Sequence, residues 1–161
     1  MFRLFRLKSR TLLTLLALVC MSFIVVALVL QHIKGVQTCP LCVLQRYAFI
    51  AVGLFCLVGA WFNAPRLGAF CAFAAALAGT ATAGWQVWIS TKPGLGCGID
   101  PLEQIVNSLI TAKWMPFLFH AKGSCGEDNF RLFWLSIPQW SLLWFALFAI
   151  VLLWILLRRG K

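Results

Sequence analysis

Cysteine is the residue type here with spacing and surroundings suited to chemistry. Cys39 and Cys42 form the run Cys39-Pro40-Leu41-Cys42, and Cys97 and Cys125 each stand among glycines. A C-x-x-C serves as half of a metal site, as a structural staple or as a redox dithiol. A metal usually takes four ligands, and no second C-x-x-C or histidine pair accompanies this one. His32 and His120 are isolated and read as interfacial or hydrogen-bonded residues rather than ligands.

Position favours reactivity. Pro40 suits the first turn of a helix, which puts Cys42 near the helix N-terminus, where backbone N–H groups favour a thiolate. Arg46 follows one turn later on the same face, and a cation beside a thiol favours the same ionised form. Arg46 is equally well placed to snorkel to lipid headgroups, and position alone does not separate the two readings.

Cys97 lies in Gly94-Leu95-Gly96-Cys97-Gly98 and Cys125 in Gly123-Ser124-Cys125-Gly126. Glycine leaves the backbone uncovered, so an incoming thiolate can reach these sulfurs for in-line exchange. An ordinary loop-closing disulfide is the alternative.

The elements that hold these residues are set by composition. Of 161 residues, 62% are hydrophobic and 11% charged, more apolar surface than a soluble domain of this size needs. Four apolar stretches, 11–30, 43–62, 67–89 and 140–157, each approach the ~20 residues that a helix needs to cross a bilayer. The first follows Arg3, Arg6, Lys8 and Arg10, as a signal peptide would, but it is longer than a signal h-region and lacks a small-x-small cleavage site. It reads as a transmembrane helix.

Lys and Arg orient the bundle. Residues 1–10, the turn 63–66 and the tail from 158 carry eight of the fourteen Lys and Arg and no acid, so these segments are expected to face the cytoplasm. Loops 31–42 and 90–139, with all four cysteines above, then face the periplasm, where disulfides persist. The net charge of +10 is mostly cytoplasmic anchoring rather than a nucleic-acid patch. Cys20, Cys56 and Cys71 fall inside spans and read as small hydrophobes.

The expected fold is an all-α membrane protein: a single domain over 1–161, a four-transmembrane-helix bundle with short interfacial amphipathic helices in its outer loop. Asp100-Pro101-Leu102-Glu103 has the makings of a helix start, and Leu102, Ile105, Val106, Leu109 and Ile110 predict one amphipathic helix over 101–112. The patch Trp114-Met115-Pro116-Phe117-Leu118-Phe119 is too short to span and suits the headgroup region, with a small self-packed core as the alternative. Ala75, Gly79 and Ala83, four apart, predict a close-packing face on the third span. Trp85, Trp88, Trp134, Trp140 and Trp144 are expected in the outer aromatic belt.

Cys39-Pro40-Leu41-Cys42-Val43-Leu44-Gln45-Arg46 at the head of the second of four spans resembles the signature of the DsbB family. The resemblance continues in Gly84-Trp85-Gln86, Lys113-Trp114-Met115-Pro116, Gly123-Ser124-Cys125 and Pro138-Gln139-Trp140, covering nearly the whole chain. It implies a bacterial inner-membrane thiol oxidase that reoxidises the periplasmic dithiol protein DsbA and delivers the electrons to a membrane quinone, ubiquinone or menaquinone. By that similarity Cys97 would form the mixed disulfide with DsbA, Cys125 would exchange with Cys39, and Cys42 would face the quinone with Arg46 stabilising the developing negative charge.

The redox scale agrees with a quinone. DsbA lies near ~−120 mV and glutathione-like couples near ~−200 mV, so passing two electrons to such a thiol pool would run uphill by ~3.7 kcal/mol. Some members of the family carry a histidine in the last turn of the third span. Here that stretch reads Trp88-Ile89-Ser90-Thr91, which leaves Gln86 as a candidate near the quinone. A tetraspan scaffold with purely structural disulfides, and an oxidase for a dedicated client other than DsbA, are the competing readings.

Overall fold

The computed structural model describes residues 9–33, 35, 38–91, 101–121 and 131–158. Four long helices dominate: α1 (Ser9–Ile33), α2 (Pro40–Trp61), α3 (Pro65–Ser90) and α7 (Ile137–Leu157). Each is long and apolar enough to cross a membrane, as the hydropathy predicts. Between α3 and α7 lie α4 (Pro101–Ser108), α5 (Ile110–Trp114), α6 (Pro116–Phe119) and a hairpin of β1 (Arg131–Leu132) with β2 (Leu135–Ser136).

All four long helices start upstream of the apolar stretches, and end chemistry explains how. Pro40 and Pro65 occupy first turns, where the missing N–H costs nothing. Pro138 is tolerated for the same reason, so α7 starts at Ile137, and the Ser136 N–H donates to Gln139 Oε1 at 2.9 Å as in a capping box. At its far end α1 continues through Gln31 and His32. The basic residues Arg10, Arg66 and Arg158 gather at the end of the bundle opposite Cys39.

α1 packs chiefly on α2, α2 on α3, and α3 on α7. Small residues set how closely. A Cβ on Gly59 would lie 2.7 Å from Gly68 Cα, so the α2–α3 hairpin closes backbone to backbone; a Cβ on Gly79 would lie 2.6 Å from Phe145 Cδ1. Of the expected close-packing row, Gly79 and Ala83 are buried and Ala75 is only half-buried; the buried stripe runs instead through Gly68, Ala72, Ala76, Gly79, Ala83 and Gln86. Phe145 stacks on Phe49 at 4.0 Å between ring centroids. α1 and α7 meet through aromatic side chains, Phe23 against Trp144 at 4.9 Å. Cys20 and Cys56 are buried in this core and Cys71 is half-buried.

The outer segment departs from the single helix expected over 101–112. The chain breaks at Leu109, which is extended (φ −60°, ψ 141°), dividing α4 from α5. Val106 and Ala112 both point inward, yet six positions on one helix would set them about 240° apart; the break turns Ala112 back to the core. Val106 is buried against the bundle, whereas Ile105, Leu109 and Ile110 are exposed, the side open to a membrane surface. The patch after it divides likewise: Trp114, Met115 and Phe117 are exposed, whereas Leu118 and Phe119 are buried, Phe119 stacking on Tyr47 at 4.4 Å. Asn107 clamps Ala121 from both sides, its Nδ2 donating to Ala121 O and its Oδ1 accepting from Ala121 N.

Candidate active site

Cys39 is the N-cap of α2: its Sγ accepts from the Cys42 N–H at 3.2 Å, and the two sulfurs stand 2.8 Å apart. The helix start predicted from Pro40 is therefore what brings the thiols together. Cys39 is fully buried; Cys42 is half-buried.

Burying polar groups in an apolar bundle is costly unless they are paired. Among the described residues the buried polar or charged side chains are Thr38, Gln45, Arg46 and Gln86, all at this end of the bundle, and no buried side-chain N or O lacks a partner. They form two networks. On the α3 side, Gln45 Nε2 donates to Gln86 Oε1 at 2.7 Å, and Gln86 Nε2 lies 3.2 Å from Cys39 Sγ and 3.2 Å from Cys42 Sγ.

On the other side, Arg46 Nη1 donates to Leu118 O at 2.6 Å and Nη2 to Thr38 Oγ1 at 3.3 Å. Thr38 in turn donates to Gln31 Oε1 at 3.0 Å, and Gln31 Nε2 donates to Phe117 O at 3.2 Å. Arg46 is 7% exposed and is spent on protein acceptors. It clamps α6 and the head of α2 together and does not reach outward as a headgroup anchor would.

A cavity of about 330 Å³ opens between α1, α2 and α7. Phe23, Phe49, Trp140 and Trp144 supply aromatic wall; Gln31, Thr38, Cys42, Gln45 and Arg46 supply polar groups; Phe133 of the hairpin also lines it. Trp140 and Trp144, assigned above to the outer belt, thus line the cavity, because the first turns of α7 face α1 across the gap. Trp85, Trp88 and Trp134 are exposed, as belt residues would be.

A family model described as Disulfide bond formation protein DsbB matches residues 9–155. Proteins named Disulfide bond formation protein B are similar over nearly the full chain. That of Herminiimonas arsenicoxydans is 46% identical, covering 94% of this chain and 98% of its own length. That of Ralstonia nicotianae is 41% identical, covering 96% and 98%, and that of Cupriavidus necator 43%, covering 96% and 96%. The chain belongs to the DsbB family.

Of the DsbB-type site residues expected from sequence, the structure brings Cys39, Cys42 and Arg46 to one place, with Cys42 and Arg46 lining the same cavity. Cys97 and Cys125 lie outside the described residues, as do Asp100 and the N-terminal Arg3, Arg6 and Lys8. Sequence reasoning passed over Gln31, Thr38 and Gln45. It gave Gln86 only as a candidate near a quinone; the Gln86 amide faces the two sulfurs. A signal was present: Gln86 falls three residues beyond Ala83 on the buried stripe, where an amide has to find a polar partner.

Proposed function

We propose that this DsbB-family chain is a quinone-linked thiol oxidase of the bacterial inner membrane, with its termini cytoplasmic and its outer cysteines periplasmic. Its donor is a reduced dithiol protein of the DsbA type and its acceptor is ubiquinone or menaquinone from the lipid phase. The observation that carries the reading is the aromatic cavity with Cys42 and Arg46 on its wall, next to the paired sulfurs.

In this reading a donor thiolate attacks Cys97 Sγ of a Cys97–Cys125 disulfide, and Cys125 leaves as a thiolate. The donor's second thiol resolves the mixed disulfide, so the donor is oxidised and the loop pair holds two electrons. Cys125 then attacks Cys39 Sγ, the Cys39–Cys42 bond breaks and its electron pair leaves on Cys42. Attack of Cys97 on Cys125 restores the loop disulfide and frees Cys39. A quinone supplies a two-electron, two-proton acceptor. Arg46 steadies negative charge at the cavity wall, Phe23, Phe49, Trp140 and Trp144 exclude water and orient a ring, and the Cys39–Cys42 bond re-forms as the pair loses its electrons.

Quinone reduction by the purified protein in detergent, with reduced DsbA as donor, tests this. The native chain is expected to turn over, and Cys97→Ala and Cys42→Ser to fail. Turnover surviving Cys42→Ser, or an inert native chain with both quinones, overturns it.

A further inference from the structure

Gln86 is a buried amide, 0% exposed, on a helix that reads as crossing the membrane. Gln45 Nε2 takes its carbonyl side, which turns the Gln86 NH₂ toward Cys39 and Cys42, both sulfurs 3.2 Å from Nε2 and 2.8 Å from each other. A thiol sulfur is a weak acceptor, whereas hydrogen bonds to ionised groups are about twice as strong as neutral ones. An amide held in this place is therefore best satisfied when one of the two sulfurs carries negative charge.

We propose that Gln86 is a catalytic hydrogen-bond donor to the Cys39–Cys42 pair, oriented by Gln45, that stabilises the thiolate formed on each sulfur in turn. The proposal rests on the thiol-oxidase reading and adds a residue to it. When an incoming thiolate attacks Cys39 Sγ, the S–S bond breaks and the electron pair leaves on Cys42 Sγ, where one Gln86 N–H meets it. When the mixed disulfide at Cys39 is resolved, the second electron pair leaves on Cys39 Sγ, and the same N–H, directed between two sulfurs only 2.8 Å apart, meets that. Two electrons and no new atoms enter the pair, and because both sulfurs lie at the same distance the amide serves both steps without changing rotamer.

The test is the ionisation of Cys42 itself, read in a Cys39→Ser chain by the rate of alkylation of the Cys42 peptide across a pH series. Gln86→Leu removes the donor. Gln86→Glu keeps the shape and replaces the donor with an acceptor, and serves should the leucine variant fail to fold. Both are expected to move the alkylation midpoint to higher pH, with the thiolate fraction at neutral pH falling about ten- to a hundredfold, the range spanned by a hydrogen bond to a charged group. Gln45→Leu, which leaves the donor but frees its orientation, is expected to move the midpoint the same way by less.

A midpoint unchanged in both Gln86 variants overturns the proposal, since a packing role alone would not move a titration. Quinone reduction by the native chain, run alongside with Cys42→Ser, separates the two levels. If the native chain turns over while the Gln86 variants titrate like native, only this inference fails; if it does not turn over, the oxidase reading fails with it.

Discussion

Replacing Arg46 by methionine keeps the length and apolar stem of the side chain and removes its charge and its donors. Two consequences follow from where Arg46 sits. Its Nη1 bond to Leu118 O, at 2.6 Å, is charge-assisted, and leaving that carbonyl unpaired in a buried place costs about 1–3 kcal/mol; the segment after α5 should loosen from α2. The second consequence is electrostatic. Cys42 and Arg46 are one helical turn apart, which sets their Cβ atoms about 6 Å from one another, and two unit charges separated by about that much attract by about 3 kcal/mol at an effective dielectric of ~20. That is about a hundredfold in the stability of a Cys42 thiolate.

The expected result is therefore a fall of about a hundredfold in single-turnover quinone reduction by Arg46→Met, in detergent, starting from the reduced Cys39–Cys42 pair. Arg46→Lys separates the two consequences. It keeps the charge but, as a point donor on a flexible stem, cannot hold Leu118 O and Thr38 Oγ1 in one fork. Its rate should stay within about tenfold of native while its thermal unfolding temperature falls alongside that of the methionine variant. Arg46→Met turning over within threefold of native would refute the charge argument; a lysine variant as slow as methionine would show that the clamp carries the effect.

Gly79→Ala should lower stability by about 1–3 kcal/mol, read as thermal unfolding in detergent, because the added Cβ meets a Phe145 ring that Phe49 holds from its stacked face; an unchanged midpoint would mean the ring can yield. Replacing Cys20, Cys56 and Cys71 together by alanine should leave quinone reduction within about twofold of native, since these thiols lie in the bundle away from the cavity lining, whereas a large loss would give one of them a part in the chemistry. Trp134→Gly should stabilise the protein by about 1 kcal/mol, because Trp134 is 95% exposed and has φ 72°, a conformation glycine adopts freely; a lowered unfolding temperature would assign the ring a contact that holds the hairpin down.

How much of this was legible in the sequence depends on whether a feature is local. The four spans were, because hydropathy over ~20 residues does not depend on neighbours, and so was the meeting of Cys39 with Cys42, because Pro40 and a three-residue spacing fix it within one turn. The helix ends were less so: a proline tolerated in a first turn moves the start of α7 upstream of Trp140, and the last turn of α1 carries Gln31 into the site. The hairpin at Phe133 and Trp134 defies turn chemistry, with both residues at positive φ where asparagine and glycine are expected. The cavity wall was beyond reach, since it depends on which pair of helices leaves a gap, and that is settled by glycine and alanine rows far from Cys42.

The two polar networks explain why those distant rows matter to the thiols. Gln86 reaches the sulfurs only because Gly68, Ala72, Ala76, Gly79 and Ala83 let α3 lie close against its neighbours, so the donor to Cys39 and Cys42 is positioned by packing along the whole helix. Arg46 is positioned instead by the outer segment and the head of α2, through Leu118 and Thr38, with Gln31 of α1 fixing Thr38. The pair of sulfurs thus stands between a neutral donor fixed by the bundle and a cation fixed by the outer segment. A change in the outer segment can shift the cation without disturbing the amide, which gives the outer segment a physical route to the chemistry of Cys42 that does not pass through its cysteines.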